Sequence, residues 1–382
     1  MNAEAEFEVL ANNAVSLQKQ GKLAEAIAHY QKALKIAEHP VVLSNLGNAL
    51  RRAGKLDEAI SCQRRAVAID PRNGWFLANL ALAQRAAGES YRSTLIRILD
   101  EDLAETGIKM WAALTLDRPQ EAFSYRPKKL NVMDYAQLGG LYRQAGLPTL
   151  LAALPPLQGT MPGLGSRPII AAAADGRYAQ QFAEDFIGSA LAKCPGCDVH
   201  LHVMNPGPYS VAKALACVHD GRVTLSVEEM APDKTLYSTR RFLRLPQFLA
   251  HAQRPVIWLD VDSIVNGDIL AALPEQYDVA LYERPDDPFI NQMVNAGFLA
   301  ITPGGKDFAD FLAAYILHFE NGTGAQWFVD QMGIVAAWAW LRRNVANLSI
   351  NSVSTRMMDW TGTRDPQCLI WHAKGDLKAG DG

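Results

Sequence analysis

The chain has 382 residues, 49% of them hydrophobic and 20% charged, with 37 Lys and Arg against 40 Asp and Glu for a net charge of −3. This is ordinary globular composition with material for two domains or more, and the slight acidity without a basic stripe argues against nucleic acid as a partner. The acidic start Met1-Asn-Ala-Glu-Ala-Glu lacks a basic segment ahead of an apolar core, no apolar run reaches the length of a membrane span, and the five cysteines are too scattered for a disulfide framework. The expectation is a cytoplasmic protein with free thiols, peripheral to a membrane at most.

The first part repeats. Gly21-Lys-Leu-Ala-Glu-Ala-Ile27 recurs as Gly54-Lys-Leu-Asp-Glu-Ala-Ile60, and Asn45-Leu-Gly47 as Asn79-Leu-Ala81. A period of about 34 residues with two helical patterns per unit resembles the tetratricopeptide repeat and not a generic helical bundle. Ala14, Gly47, Ala59 and Ala81 are small enough for paired helices to approach closely. Leu17, Ile27, Leu46, Leu50 and Ile60 fill the seam. Glycines 21, 54 and 88 are placed to end the first helix of each pair in the left-handed conformation. Two full units and the first helix of a third can be read, and none carries recognisable chemistry.

Residues 90–157 read as mostly helical, over Leu95–Leu103, Met110–Leu116 and Tyr135–Ala153, and are suited to completing the solenoid. Pro155-Pro156 and Pro162-Gly163-Leu-Gly165 break that pattern. The expected division is repeats over 1–90, a helical connector over 91–165 and an α/β domain over 166–382. From Arg167 strands and helices alternate: strand Pro168–Ala174, helix Tyr178–Lys193, strand Val199–Met204, helix Ser210–His219, extended Arg222–Val227, helix Ser238–Ala250 and buried strand Val256–Leu259. This βαβ order predicts a largely parallel sheet. No glycine-rich phosphate loop follows the first strand, only Asp175-Gly-Arg-Tyr178, so the domain is not of the NAD-binding kind. Cys194-Pro-Gly-Cys197 has no second Cys or His pair at matching spacing and reads as a turn after a helix.

The strand Val256–Leu259 ends in Asp260-Val261-Asp262. Hard carboxylate ligands at the carboxyl edge of an open α/β sheet suit Mg²⁺ or Mn²⁺, and that edge is where such sheets bind nucleotides. Taken alone the triplet reads first as a surface turn with two solvated aspartates. Three further stretches add to it. Asn295-Ala296-Gly297 opens a strand; Asp330-Gln331 stands just ahead of the helical run Met332–Leu341; and Trp371-His372-Ala-Lys-Gly375-Asp-Leu-Lys378 places an imidazole, a glycine and a lysine at H-x-x-G-x-x-K spacing. A cap at Asp330 and a solvated tail at His372 and Lys378 are the plain alternatives.

The joint order of these motifs resembles glycosyltransferase family 8, which includes glycogenin and bacterial lipopolysaccharide galactosyl- and glucosyltransferases. Asp175-Gly-Arg-Tyr178 and Tyr237-Ser-Thr-Arg-Arg241 are similar to its nucleotide loop and to the helix before its metal strand. The resemblance spans roughly residues 168–378; Trp258 stands where the family commonly has Tyr, and Ala379-Gly380 stands where it usually has Pro-Trp. It implies a GT-A fold, a Rossmann-like mixed sheet that handles nucleotide-diphospho-sugars. It implies Mn²⁺ or Mg²⁺ on Asp260, Asp262 and His372, and a UDP-sugar donor. In the same way it assigns the diphosphate to Gly375 and Lys378, and the uridine to Asp175 and Tyr178. The sugar falls to Asn295, Ala296 and Gly297, with Val261 between the metal ligands and Asp330 and Gln331 near the anomeric carbon. Arg241 is divided evenly between a donor contact and a salt bridge on an exposed helix. The implied activity is hexosyl transfer with retention to a protein or glycan acceptor, with the repeats recruiting the acceptor or a partner. Two other readings stay open: an interaction protein that binds nucleotide sugar without turnover, and a lipopolysaccharide or glycan transferase whose repeats act as an adaptor.

Overall fold

The computed structural model describes residues 2–143, 151–152, 154–207, 221–284, 288–359 and 364–372. It divides into two compact units, one of Met1–Pro127 with Pro285–Met293 and one of Lys128–Arg284 with Val294–Gly382.

The first unit is helical. Helices α1 (Ala3–Lys19), α2 (Leu23–Ile36), α3 (Pro40–Arg52), α4 (Leu56–Ile69) and α5 (Gly74–Ala86) pack each on the next. Gly21, Gly54 and Gly88 have φ of 76°, 77° and 71°, so each pair turns on a residue without a Cβ, as the repeat spacing predicted. Ala14, Ile27, Leu46, Leu50, Ala59 and Ile60 are buried in the seam. Helix α6 (Arg92–Asp100) packs on α5, pairing with it in the part of the connector that read as helical over Leu95–Leu103. Helices α7 (Thr106–Thr115) and α8 (Pro119–Ser124) continue the stack. The distant segment ending at Met293 belongs here as well. Phe289 packs against Trp75 with ring centroids 5.1 Å apart, and the turn Ile290–Gln292 lies on α7.

The second unit contains α9 (Tyr135–Tyr142) and an eight-stranded sheet. Its strands in chain order are β1 (Gln158–Gly159), β2 (Ile169–Asp175), β3 (Asp198–Met204), β4 (Val223–Glu228), β5 (Val256–Asp260), β7 (Val279–Glu283), β8 (Val294–Ile301) and β9 (Ile350–Ser352). In space they lie in the order β1-β4-β3-β2-β5-β8-β7-β9. The run β4-β3-β2-β5 is parallel, whereas β8 is antiparallel to both its neighbours, so the sheet is mixed. A three-stranded sheet pairs β6 (Ser263–Val265) with β11 (Ile370–His372) and β11 with β10 (Met358–Asp359). Helices α10 (Gly176–Lys193), α11 (Lys234–Ala252), α12 (Lys306–Glu320) and α13 (Val329–Asn344) complete the unit. The expected helix over 210–219 and most of that over 143–153 lie outside the described residues.

Strands β2, β3 and β5 are buried almost throughout, which is why they read as apolar runs and not as alternation. One polar cluster interrupts that core. Glu228 at the end of β4 is 1% exposed, accepts from Arg244 Nε at 2.8 Å and forms an ion pair with Arg240, whose Nε lies 2.6 Å from Oε1. Burial pushes its carboxyl up, but His202 and the two guanidiniums outweigh this and hold it below the usual range. Burial likewise keeps His200 and His202 neutral, bonded through Ser226 and Thr224. Cys194 ends α10 and Cys197 closes a turn onto it, as their spacing suggested, and both are buried.

Candidate functional site

Strand register assembles the site. In the parallel pair β2–β5, Ala173 stands opposite Asp260, so Asp175 and Asp260 end their strands at one edge of the sheet. Strand β8 runs the other way, with Phe298 opposite Leu259, so the residues before it, Gly297 to Asn295, extend past Asp260. The small sheet pairs His372 with Ser263 and so sets the ring beside Asp262. One ligand atom from each of Asp260, Asp262 and His372 lies within 4.8 Å of the others. Val261 between the aspartates turns the other way, into the apolar core. The cluster opens on a cavity of about 450 Å³ whose lining includes Asp175, Tyr178, Arg241, Asn295, Gly297, Asp330 and Gln331. Val261 and Ala296 also reach it. Gly375 and Lys378 lie outside the described residues.

The donor set fits a divalent cation. His372 is 5% exposed, and its Nδ1 has no hydrogen-bond partner among the described residues, lying 3.7 Å from Asp262 Oδ1. Its Nε2 sits 3.2 Å from Met358 Sδ. A thioether sulfur only accepts, so a ring that donates from Nε2 to Met358 would leave its Nδ1 to a metal ion beside Asp262. Two carboxylates and that nitrogen form a hard set of the type manganese or magnesium takes. Met358 had no signal in the sequence, because a methionine after a short turn reads as core; its neighbour across the pair β10–β11 is Ile370, two residues from the ligand.

Arg241 is neither exposed nor remote. It is 6% exposed, and its Nη1 donates to Asp260 Oδ1 at 2.6 Å, so the salt bridge exists but on the buried face and with a candidate metal ligand. Gly297 serves that same carboxylate. A Cβ there would stand 2.7 Å from Asp260 Oδ2 and 3.0 Å from Asn295 Oδ1. Its missing side chain therefore clears the aspartate. Asn295 turns its amide back on the chain: Oδ1 accepts from Gly297 N at 2.8 Å, and Nδ2 lies 3.6 Å from Met358 Sδ.

Asp175 caps α10, accepting from the backbone N–H groups of Arg177 and Tyr178 at 2.8 and 3.0 Å. The cap fixes Tyr178, whose ring rests on Phe182 at 5.5 Å. Asp330 is not a cap. Helix α13 begins at Val329, with Phe328 as its N-cap in the left-handed region at φ 77°, so Asp330 lies inside the first turn. The helix starts three residues earlier than the apolar run suggested because that turn, and not a side-chain cap, initiates it. Asp330 Oδ1 accepts from Gln331 N at 2.8 Å. Burial raises its carboxyl pKa, Arg241 and that N–H oppose the rise, and Asp260 adds to it.

Residues 6–72 match the tetratricopeptide repeat family model. No curated protein matches the chain by sequence. Three similar solved structures are glycosyltransferases. The galactosyltransferase LgtC, in complex with donor and acceptor sugar analogues, is 16% identical with a TM-score of 0.39 over 55% of this chain and 87% of its own. GlyE of Streptococcus pneumoniae TIGR4 is 15% identical with a TM-score of 0.40 over 57% of each chain. The bifunctional WbbM is 12% identical with a TM-score of 0.39 over 57% of this chain. The chain spans 57% of GlyE and 47% of WbbM. Among the described residues no helix is long and apolar enough to cross a membrane.

Proposed function

We propose that the protein is a metal-dependent glycosyltransferase that moves a hexose-type sugar from a nucleotide diphosphate, with UDP the first candidate, to an acceptor hydroxyl. One observation carries this reading: Asp260, Asp262 and the Nδ1 side of His372 converge at the carboxyl edge of the sheet, on the floor of a cavity. A Mn²⁺ or Mg²⁺ ion held by these three residues supplies Lewis-acid stabilisation of the departing diphosphate.

The chain's own residues do the remaining work. Arg241 holds Asp260 in pose and lends positive charge where the diphosphate's negative charge grows. Gly375 and Lys378 are assigned to that diphosphate. Tyr178, set by the Asp175 cap, receives the nucleoside, and Asn295, Ala296 and Gly297 bound the sugar. Asp330 and Gln331 face the anomeric carbon as its bond to the diphosphate oxygen breaks and it gains oxocarbenium character. The new C–O bond forms to the acceptor oxygen on the same face, and the acceptor proton passes to the leaving diphosphate, which gives retention. The repeats recruit the acceptor or a partner.

Calorimetry with Mn²⁺ and UDP, together with a panel of nucleotide sugars screened for metal-dependent hydrolysis, tests this. Wild type should bind UDP only with the metal, and Asp262→Ala should lose that binding without unfolding. Equal Mn²⁺/UDP affinity in Asp262→Ala sinks the assignment.

A further inference from the structure

Helix α11 runs along one side of the cavity and presents Lys234, Ser238 and Arg241 to it, the four- and three-residue spacing of a single helix face. Arg241 touches Asp260. Lys234 stands seven residues back, roughly 10 Å along the axis at about 1.5 Å per residue. There its Nζ lies 4.8 Å from the centroid of the Trp327 ring. Trp327 is 46% exposed and, of the large hydrophobic side chains left in solvent among the described residues, it alone lines the cavity.

The indole is held there by a built turn. Asn131, 5% exposed, donates from Nδ2 to Gly324 O at 3.1 Å and accepts at Oδ1 from Gln326 N at 2.6 Å. Its own carbonyl accepts from Tyr315 Oη at 2.5 Å. Gln326 O then accepts from Val329 N at 3.0 Å, closing the turn over Trp327 and Phe328. Phe328 is a non-glycine residue in the left-handed region at φ 77°, a conformation that persists where its surroundings over-determine it. The turn leaves the indole 46% exposed and lining the cavity.

The geometry points to Trp327 and Lys234 as the seat of the acceptor, and to an acceptor that presents a saccharide ring there. This rests on the transferase reading above. With the diphosphate on the metal cluster and the donor sugar beside Asp330 and Gln331, the next occupant outward is the acceptor. Trp327, Asp330 and Gln331 line the same cavity, so a ring seated on the indole shares that cavity with the donor sugar. The C–H face of a pyranose is a flat apolar surface that stacks on an indole, and its hydroxyls accept from an ammonium such as that of Lys234, which lies over the Trp327 ring. A peptide acceptor would call for an open strand edge, and neither side chain supplies one.

Saturation-transfer NMR on the full chain with lactose and with maltose, in the presence of Mn²⁺ and UDP, tests the assignment. Wild type should saturate the ring C–H protons of at least one sugar. Trp327→Ala should weaken that binding about tenfold, within the range of ring stacking on an aromatic side chain, and Trp327→Phe should keep most of it. Lys234→Met should weaken it less. Mn²⁺/UDP affinity, read by calorimetry on the same preparations, should stay near that of wild type. Absence of saturation transfer to either sugar in wild type, or binding by Trp327→Ala equal to wild type, overturns the proposal. So does a collapse of UDP affinity in Trp327→Ala, which would make the indole a nucleobase platform. Sugar binding that depends on Trp327 in a wild type that fails to bind Mn²⁺/UDP would support the saccharide seat and refute the donor reading.

Discussion

Replacing Gly297 by Ala is the sharpest single perturbation of the site. The glycine lies in β8 at an ordinary φ, so alanine meets no backbone strain. The obstacle is the new Cβ, 2.7 Å from Asp260 Oδ2 and 3.3 Å from its Cγ. The carboxylate cannot simply swing away, because Arg241 holds the other oxygen at 2.6 Å. Forcing an extra methyl into a packed site costs about 1–3 kcal/mol. Displacing the groups that orient a metal ligand costs roughly 10- to 100-fold in affinity. Gly297→Ala should therefore remain folded, melt a few degrees lower, and bind Mn²⁺ at least about tenfold more weakly by calorimetry. Wild-type Mn²⁺ affinity in a folded Gly297→Ala protein would refute the view that the glycine exists to clear Asp260.

Met358→Leu keeps the volume but removes the sulfur that His372 Nε2 faces; Mn²⁺ affinity should fall about tenfold with little change in melting temperature, and unchanged affinity would remove the methionine from the site. Asp330→Asn tests a buried carboxyl whose pKa the fold raises. The folded state then holds its proton more tightly than the unfolded state, so this residue's contribution is full at pH below the unfolded value near 4 and is lost as pH rises through the folded one. In EDTA the asparagine variant should be the more stable protein at neutral pH, with the difference shrinking on acidification, while turnover drops; equal melting curves across pH would show that the carboxyl is not strained. Glu228→Gln leaves Arg240 and Arg244 facing a neutral partner in the core, and urea titration should show a loss of about 3–5 kcal/mol, with a loss under 1 kcal/mol contradicting the pairing.

Much of the fold was legible because its signals were local. The repeat showed itself in a duplicated heptapeptide and in glycines whose positive φ the structure bears out. The strands ending at Asp175 and Asp260 announced themselves as apolar runs with abrupt polar ends. What stayed hidden depends on distance. The reversal of β8 has no local signature, since a strand buried on both faces reads alike in either direction. Met358 matters only because β10 lies beside β11, and Asn131 because it reaches a turn almost two hundred residues away. The cap offered as the alternative for Asp330 fails because the helix starts on a left-handed Phe328, a residue type that gives no warning of positive φ. Arg241 could be placed on the inward face only once Asp260 was found beside it.

The segment ending at Met293 also bears on how the chain is made. The helical unit is not finished when Pro127 leaves the ribosome, because Phe289 and the turn Ile290–Gln292, which pack on Trp75 and α7, are still to be synthesised. Domains commonly fold in order from the N-terminus during synthesis. Here the first unit must wait, with Trp75 uncovered by Phe289, until β1 to β7 have been made. A fragment stopped at Pro127 is therefore expected to be stickier than the full chain, and one begun at Lys128 must carry residues 288–293 without the helices they were shaped to cover.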